Sequence, residues 1–208
     1  MSTDLLNALP LVAILRGVTP SRAVAVGDTL FAAGLRAIEV PLNSPQPFDS
    51  IRALSKRFGD TCLCGAGTVV NVADVQNTFD AGGRLIVAPN CEPQVIAAAL
   101  RLGMTVLPGI ATATEAFAAI HAGATRLKLF PAATYGSRHL KALKDVLPSH
   151  IDVLPVGGVG ADDIAEWLKA GASGFGFGSE LFKPACTLDD IAARAARVVA
   201  AWRAASTH

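Results

Sequence analysis

One phrase recurs along the chain and limits what it can fold into. The segments FAAGLRAIEV, FDAGGRLIVA, LRLGMTVLPG, IHAGATRLKLF and LKAGASGFGFG each run from a helix end through glycine into a short apolar run. Glycine after a helix supplies the left-handed cap that ends it. A short, continuously apolar run beyond that cap reads as a parallel strand buried on both faces. Helix starts are legible too. Thr19-Pro20 and Ser44-Pro45 set a capping hydroxyl before a proline in the first turn, and Thr112 with Glu115 has the spacing of a capping box.

Strands are expected at 11–16, 36–41, 61–66, 85–88, 104–107, 125–129, 151–156 and 174–177, with a last helix over about 188–204. Helical patterns fill the gaps, so eight βα units follow one another with short loops and no linker. That order predicts an α/β fold, a single compact (β/α)8 TIM barrel over 1–208. A doubly wound open sheet is the alternative, but it favours a glycine-rich fingerprint after the first strand, and LRGVTP is not one.

Composition excludes several classes. Net charge is +1, which gives no reason to expect nucleic acid or an anionic membrane as a partner. No apolar run has the length of a membrane span, and the N-terminal stretch lacks a basic region and carries Asp4, so a cytoplasmic protein without a signal peptide is expected. Cys62, Cys64, Cys91 and Cys186 match neither a zinc ribbon nor a redox pair and read as free thiols, Cys62 and Cys64 as core. His121, His139, His150 and His208 are scattered, so neither a metal nor a cofactor is expected.

Barrel enzymes work at the C-terminal ends of their strands. There the chain sets Arg16, then Glu39 with Asn43, then Thr68, Pro89, Lys128 with Phe130, Val156 with Gly157 and Gly158, and last Gly178 with Ser179. Lys128 stands out, because Leu127 and Leu129 flank it and an ammonium is costly to bury. Its stem could simply pack while the head reaches solvent or a carboxylate. An apolar site also lowers a lysine pKa, and a neutral amine attacks ketones to form Schiff bases. Glu39, between Ile38 and Val40, poses the same choice: an ion-pair partner for Lys128, or a general acid/base beside an imine. Glycine-rich loops after the last two strands commonly hold phosphate through backbone N–H groups, which makes Gly157, Gly158, Gly178 and Ser179 candidates.

The pieces AILRGVTP, AIEVPLNSP, GAGTV, VAPN, PGIATATEA, LKLFPA and PVGGV, in this order over about 8–182, resemble the class I aldolases of 2-keto-3-deoxy-6-phospho sugar acids. The resemblance implies a barrel, a lysine imine on Lys128 and a homotrimer that takes a phosphorylated keto sugar acid and releases pyruvate. It assigns Glu39 as base and acid, Arg16 and Thr68 to the substrate carboxylate, Pro89 and Phe130 to the pyruvyl wall, and the glycine loops with Ser179 to the phosphate. The phosphogluconate-cleaving type has an arginine four residues after the glutamate and a threonine before the paired glycines. Asn43 and Val156 stand there instead, and with Arg16 they resemble the phosphogalactonate-cleaving type. A phosphate-binding isomerase or epimerase, or a barrel that only binds its ligand, would keep the glycine loops without the imine.

Overall fold

The structure, a computed structural model, describes residues 5–206. Asp4 and His208, both used above, lie outside the described residues. The chain runs α1 (Leu5–Ala8), β1 (Leu11–Ile14), α2 (Pro20–Ala32), β2 (Ala37–Pro41), α3 (Pro47–Phe58), β3 (Leu63–Gly67), α4 (Val72–Asp80) and β4 (Leu85–Val87). It continues through α5 (Pro93–Arg101), β5 (Thr105–Leu107), β6 (Gly109–Ile110), α6 (Ala113–His121), β7 (Arg126–Leu129), α7 (Ala132–Tyr135) and α8 (Ser137–Lys144). The last elements are β8 (Asp152–Pro155), α9 (Ile164–Lys169), β9 (Phe175–Phe177) and α10 (Leu188–Ser206). No helix among the described residues is long and apolar enough to cross a membrane.

The glycine punctuation does what its chemistry allows. At the end of α2, Gly34 takes φ +106°, and the Leu35 N–H turns back to the Leu30 carbonyl at 3.1 Å. The same turn returns after α4, α5, α6 and α9. At the start of α6 the capping box forms: Thr112 Oγ1 accepts from the Glu115 N–H at 3.3 Å, and Glu115 Oε2 accepts from the Thr112 N–H at 2.8 Å. The expectation for α3 is corrected. That helix starts at Pro47, and Ser44 instead accepts the Gly17 N–H at 2.9 Å, tying the end of β2 to the end of β1.

Every strand pair is parallel. Six strands make one curled sheet in the order β5-β4-β3-β2-β1-β9, and three make a second, β6-β7-β8. The expected fifth strand appears as β5, and a further short strand, β6, follows Pro108, which has no N–H to give the ladder. Hydrogen bonds stitch the sheets at both edges. Lys128 N–H donates to the Pro108 carbonyl at 2.8 Å, Ser173 N–H donates to the Val153 carbonyl at 2.9 Å, and Val156 bridges Gly176.

Side chains alternate along a strand, so each strand feeds two layers. One set, such as Leu11, Ala13, Ile38, Val40, Leu127 and Leu129, packs outward into the large core under the helices. The other set meets on the opposite side of the sheets. There Val12, Ala37, Leu85, Val87, Leu107 and Leu154 close around Leu6 from α1. Two residues beyond Ala37 on this inner face is Glu39, and Leu154 is the register partner of Lys128. The strand period therefore delivers both charged residues to one layer, on top of an apolar floor.

Close strand packing also demands glycine. A Cβ at Gly65 would fall on the backbone carbonyl of Leu85 in β4, an atom that cannot yield. Gly65→Ala is expected to cost about 2–4 kcal/mol, read as a lowered urea midpoint. An unchanged midpoint would contradict this account of the β3–β4 contact.

Candidate active site

A cavity of about 860 Å³ opens over the inner layer of the strands. At its base stand two charged side chains with almost no exposure, Glu39 at 2% and Lys128 at 6%. The Lys128 ammonium lies 4.6 Å from the centre of the Phe130 ring, a cation–π contact that partly replaces lost water. The two residues make no direct ion pair among the described residues, and Glu39 Oε2 is buried without a hydrogen-bond partner there. That oxygen lies against Gly67 in β3, so the carboxylate is held in place by packing and carries an unspent acceptor.

Burial dominates the electrostatics. It raises the Glu39 carboxyl from 4.5 to about 7, against the opposing pull of Lys128 and Arg16. It also lowers the Lys128 ammonium below its ordinary value, a shift that Glu39 opposes and Arg16 assists. Both shifts move the pair toward its neutral form, the direction that frees an amine for attack. Gly67 in β3 makes room for this. A Cβ there would collide with the Glu39 carboxylate, so no other residue fits while Glu39 keeps its place.

The far end of the cavity is built from glycine. Gly157 and Gly158 follow β8 with φ of +94° and +73°, in the left-handed region that side chains avoid. A Cβ at Gly158 would lie 2.6 Å from that of Ala133. The backbone N–H groups of Gly157, Gly158, Gly178 and Ser179 make no hydrogen bond among the described residues. Successive free N–H groups in such turns form an anion cradle.

Most of the residues expected from sequence meet here. Arg16, Glu39, Lys128 and Phe130 line one end, and Val156, Gly157, Gly158, Gly178 and Ser179 line the other. Three expected residues are not in the lining. Asn43 stands behind Arg16 and accepts its Nη1–H at 2.7 Å, so it acts on the cavity through that guanidinium. Thr68 caps the end of β3 with φ +60°, a strained value for a β-branched residue. Pro89 lies after β4, its carbonyl pressed against Gly109. Sequence reasoning missed Asp162, Glu180, Lys183 and Arg197, which line the mouth. Asp162, Glu180 and Lys183 follow the two glycine loops closely in sequence and could have been read from them, whereas Arg197 arrives from α10 with no local signal. Cys62 and Cys64 are core, and a mutual hydrogen bond, with burial, holds the Cys64 thiol far above its ordinary value.

Comparison with known proteins bears on this arrangement. A family model described as "Aldolase: KDPG and KHG aldolase" matches residues 3–196. The 2-dehydro-3-deoxy-6-phosphogalactonate aldolase of Escherichia coli (strain K12) is 48% identical over 95% of this chain and 96% of its own length. A solved native KDPGal structure superposes with a TM-score of 0.95 at 46% identity, covering 100% of this chain and 99% of that one. The solved KDPG aldolase of Legionella pneumophila, with pyruvate captured at low pH as a covalent carbinolamine intermediate, has a TM-score of 0.82 at 25% identity over 97% of this chain and 96% of its own.

The electrostatics are directly measurable. A carboxyl raised above its ordinary value binds its proton more tightly folded than unfolded. Glu39 therefore favours the folded state below pH 4.5, and that contribution is lost as pH rises through about 7. Carbon-13 NMR of glutamate-labelled protein should show one carboxyl titrating near pH 7 that is missing in Glu39→Gln. A spectrum in which every glutamate titrates near its ordinary value would contradict the burial argument.

Proposed function

The chain belongs to the KDPG and KHG aldolase family and is a carbon–carbon lyase, and we propose that it cleaves 2-dehydro-3-deoxy-6-phosphogalactonate to pyruvate and glyceraldehyde 3-phosphate through an imine on Lys128. One observation carries this reading: a buried amine, freed by its surroundings, beside a buried carboxylate oxygen with no partner, on the floor of the cavity. The carbinolamine trapped in the Legionella relative supports the same first step.

The neutral Lys128 amine attacks the C2 ketone, and the carbinolamine hydroxyl leaves as water with the proton of Glu39, which gives a protonated imine and an ionised carboxylate. The imine is the electron sink, so the reaction needs neither metal nor cofactor. Glu39 takes the proton of the C4 hydroxyl. The C3–C4 bond breaks, its electrons pass into the imine, and the aldehyde leaves. The remaining enamine takes a proton at C3 from Glu39, and water hydrolyses the pyruvyl imine from Lys128. A group that must be base and then acid works best with a pKa near the working pH, and about 7 meets that need.

Arg16 holds the substrate carboxylate by charge-assisted hydrogen bonds, aimed by Asn43. Phe130 walls the pyruvyl part. Thr68 and Pro89, outside the lining, serve as supports at the ends of β3 and β4 rather than as contacts. The phosphate lies at the other end, on the N–H groups of Gly157, Gly158 and Gly178, with Ser179. Val156 lines the cavity beside the glycines, and its side chain offers no hydrogen bond to a sugar hydroxyl. Together with Asn43, and with the identity to the Escherichia coli phosphogalactonate enzyme, it favours the galacto epimer. We further infer that the two sheets form one closed (β/α)8 barrel domain in which β5 and β6 are a single interrupted strand. A cytoplasmic homotrimer completes the reading on the family pattern.

Steady-state cleavage of the two epimers, coupled to pyruvate detection, tests this. The galacto epimer should have the higher kcat/KM, Asn43→Arg should shift the ratio toward the gluco epimer, and Lys128→Ala should abolish cleavage of both. Near-full cleavage by Lys128→Ala would sink the imine mechanism, and a wild-type preference for the gluco epimer would sink the substrate assignment.

A further inference from the structure

The charges at the glycine end of the cavity leave one cation without a task. Asp162, Asp163 and Glu180 all line that end, where they oppose the entry of an anion. Each is already engaged. Arg197 reaches Asp162 Oδ2 through Nη2 at 2.5 Å and Glu180 Oε1 through Nη1 at 3.5 Å. Asp163 accepts the Gly160 N–H at 2.7 Å. Arg197 is thereby occupied at both Nη atoms. Arg16 is bonded to Asn43, and Lys128 stands at the opposite end. Lys183 differs: it lines the same cavity, is exposed, and its ammonium makes no ion pair or hydrogen bond among the described residues.

The backbone beneath Lys183 is pinned. Arg22 donates to the Pro184 carbonyl through Nη1 and to the Cys186 carbonyl through Nη2, the latter at 2.7 Å. The Cys186 N–H closes a turn onto the Lys183 carbonyl at 3.0 Å. Pro184 lies against Gly17, whose φ is +82° and whose added Cβ would stand 2.9 Å from the proline ring. A fixed turn, four residues beyond Ser179 in the chain, therefore carries a free ammonium in the lining of the cavity that holds the glycine loops. Closing it on a ligand orders one side chain and nothing else.

We propose that Lys183 binds the phosphate of the substrate, with Arg22 as the positioning residue that fixes its turn and Arg197 as the group that neutralises Asp162 and Glu180. The proposal rests on the phosphate reading of the glycine loops given above. Backbone N–H groups supply direction, and Lys183 supplies the full charge that a dianion requires in a mouth lined by carboxylates. Lys183 then sets the preference for phosphorylated over unphosphorylated aldehydes.

The test runs the reaction toward aldol addition, with pyruvate and either glyceraldehyde 3-phosphate or unphosphorylated D-glyceraldehyde. The readout is the ratio of kcat/KM for the two aldehydes. Lys183→Met should lower that ratio about tenfold, chiefly through KM for the phosphorylated aldehyde, and Lys183→Arg should keep most of it. An unchanged ratio in Lys183→Met, or an equal loss in the Met and Arg variants, would overturn the proposal. The wild type separates the two levels of inference. If it does not prefer the phosphorylated aldehyde, the phosphate reading itself fails and this proposal with it. If it prefers that aldehyde and Lys183→Met does so equally, this proposal alone fails.

Discussion

Two opposite charges buried on one apolar floor are the constraint around which this protein is built. An ion taken out of water is costly, and Glu39 and Lys128 are both almost wholly buried. A close, hydrogen-bonded ion pair would relieve that cost, yet it would also fix the lysine as an ammonium. The observed arrangement lets the two fields meet without a direct bond. Desolvation then outweighs mutual attraction on both sides, which raises the acid and lowers the base. A reactive amine is the product of that imbalance rather than of any one contact.

The remainder of the fold serves this floor. The strand period brings Glu39 from β2 and Lys128 from β7 to one layer above Leu6 and its apolar neighbours. Gly67 leaves space for the carboxylate, and Gly65 lets β4 approach β3. Ser44 joins the end of β2 to Gly17, and Asn43 steadies Arg16 at the same corner. At the opposite end, Gly157 and Gly158 adopt backbone angles that side chains avoid, and their N–H groups make no hydrogen bond among the described residues. On the proposed function, one end serves covalent chemistry on a ketone and the other holds an anion.

Much of this was legible in the sequence because the responsible forces are local. Glycine caps and buried parallel strands follow from short stretches, and every expected strand appears within a few residues of its place. Lys128 and Glu39 could be read because a charge inside an apolar strand contradicts its own neighbourhood. What escaped depends on distant partners. Ser44 looked like a helix cap, but its hydroxyl serves Gly17, and α3 begins at Pro47. The short strand β6 beyond Pro108 was not legible, because it exists only through its pairing with β7. The hydrogen bond from Arg16 to Asn43 joins positions 27 residues apart, and no local pattern announces it. Arg197 carries no local signal, since only the folded chain brings α10 to the cavity.

The central claim is that burial keeps the Lys128 amine reactive toward a ketone. The most direct measurement is borohydride trapping: incubate the folded protein with pyruvate, reduce, and read the intact mass and the modified peptide. The account predicts one stable pyruvyl adduct, located on the peptide that contains Lys128. Folded protein that yields no adduct, or an adduct on another lysine, would contradict it.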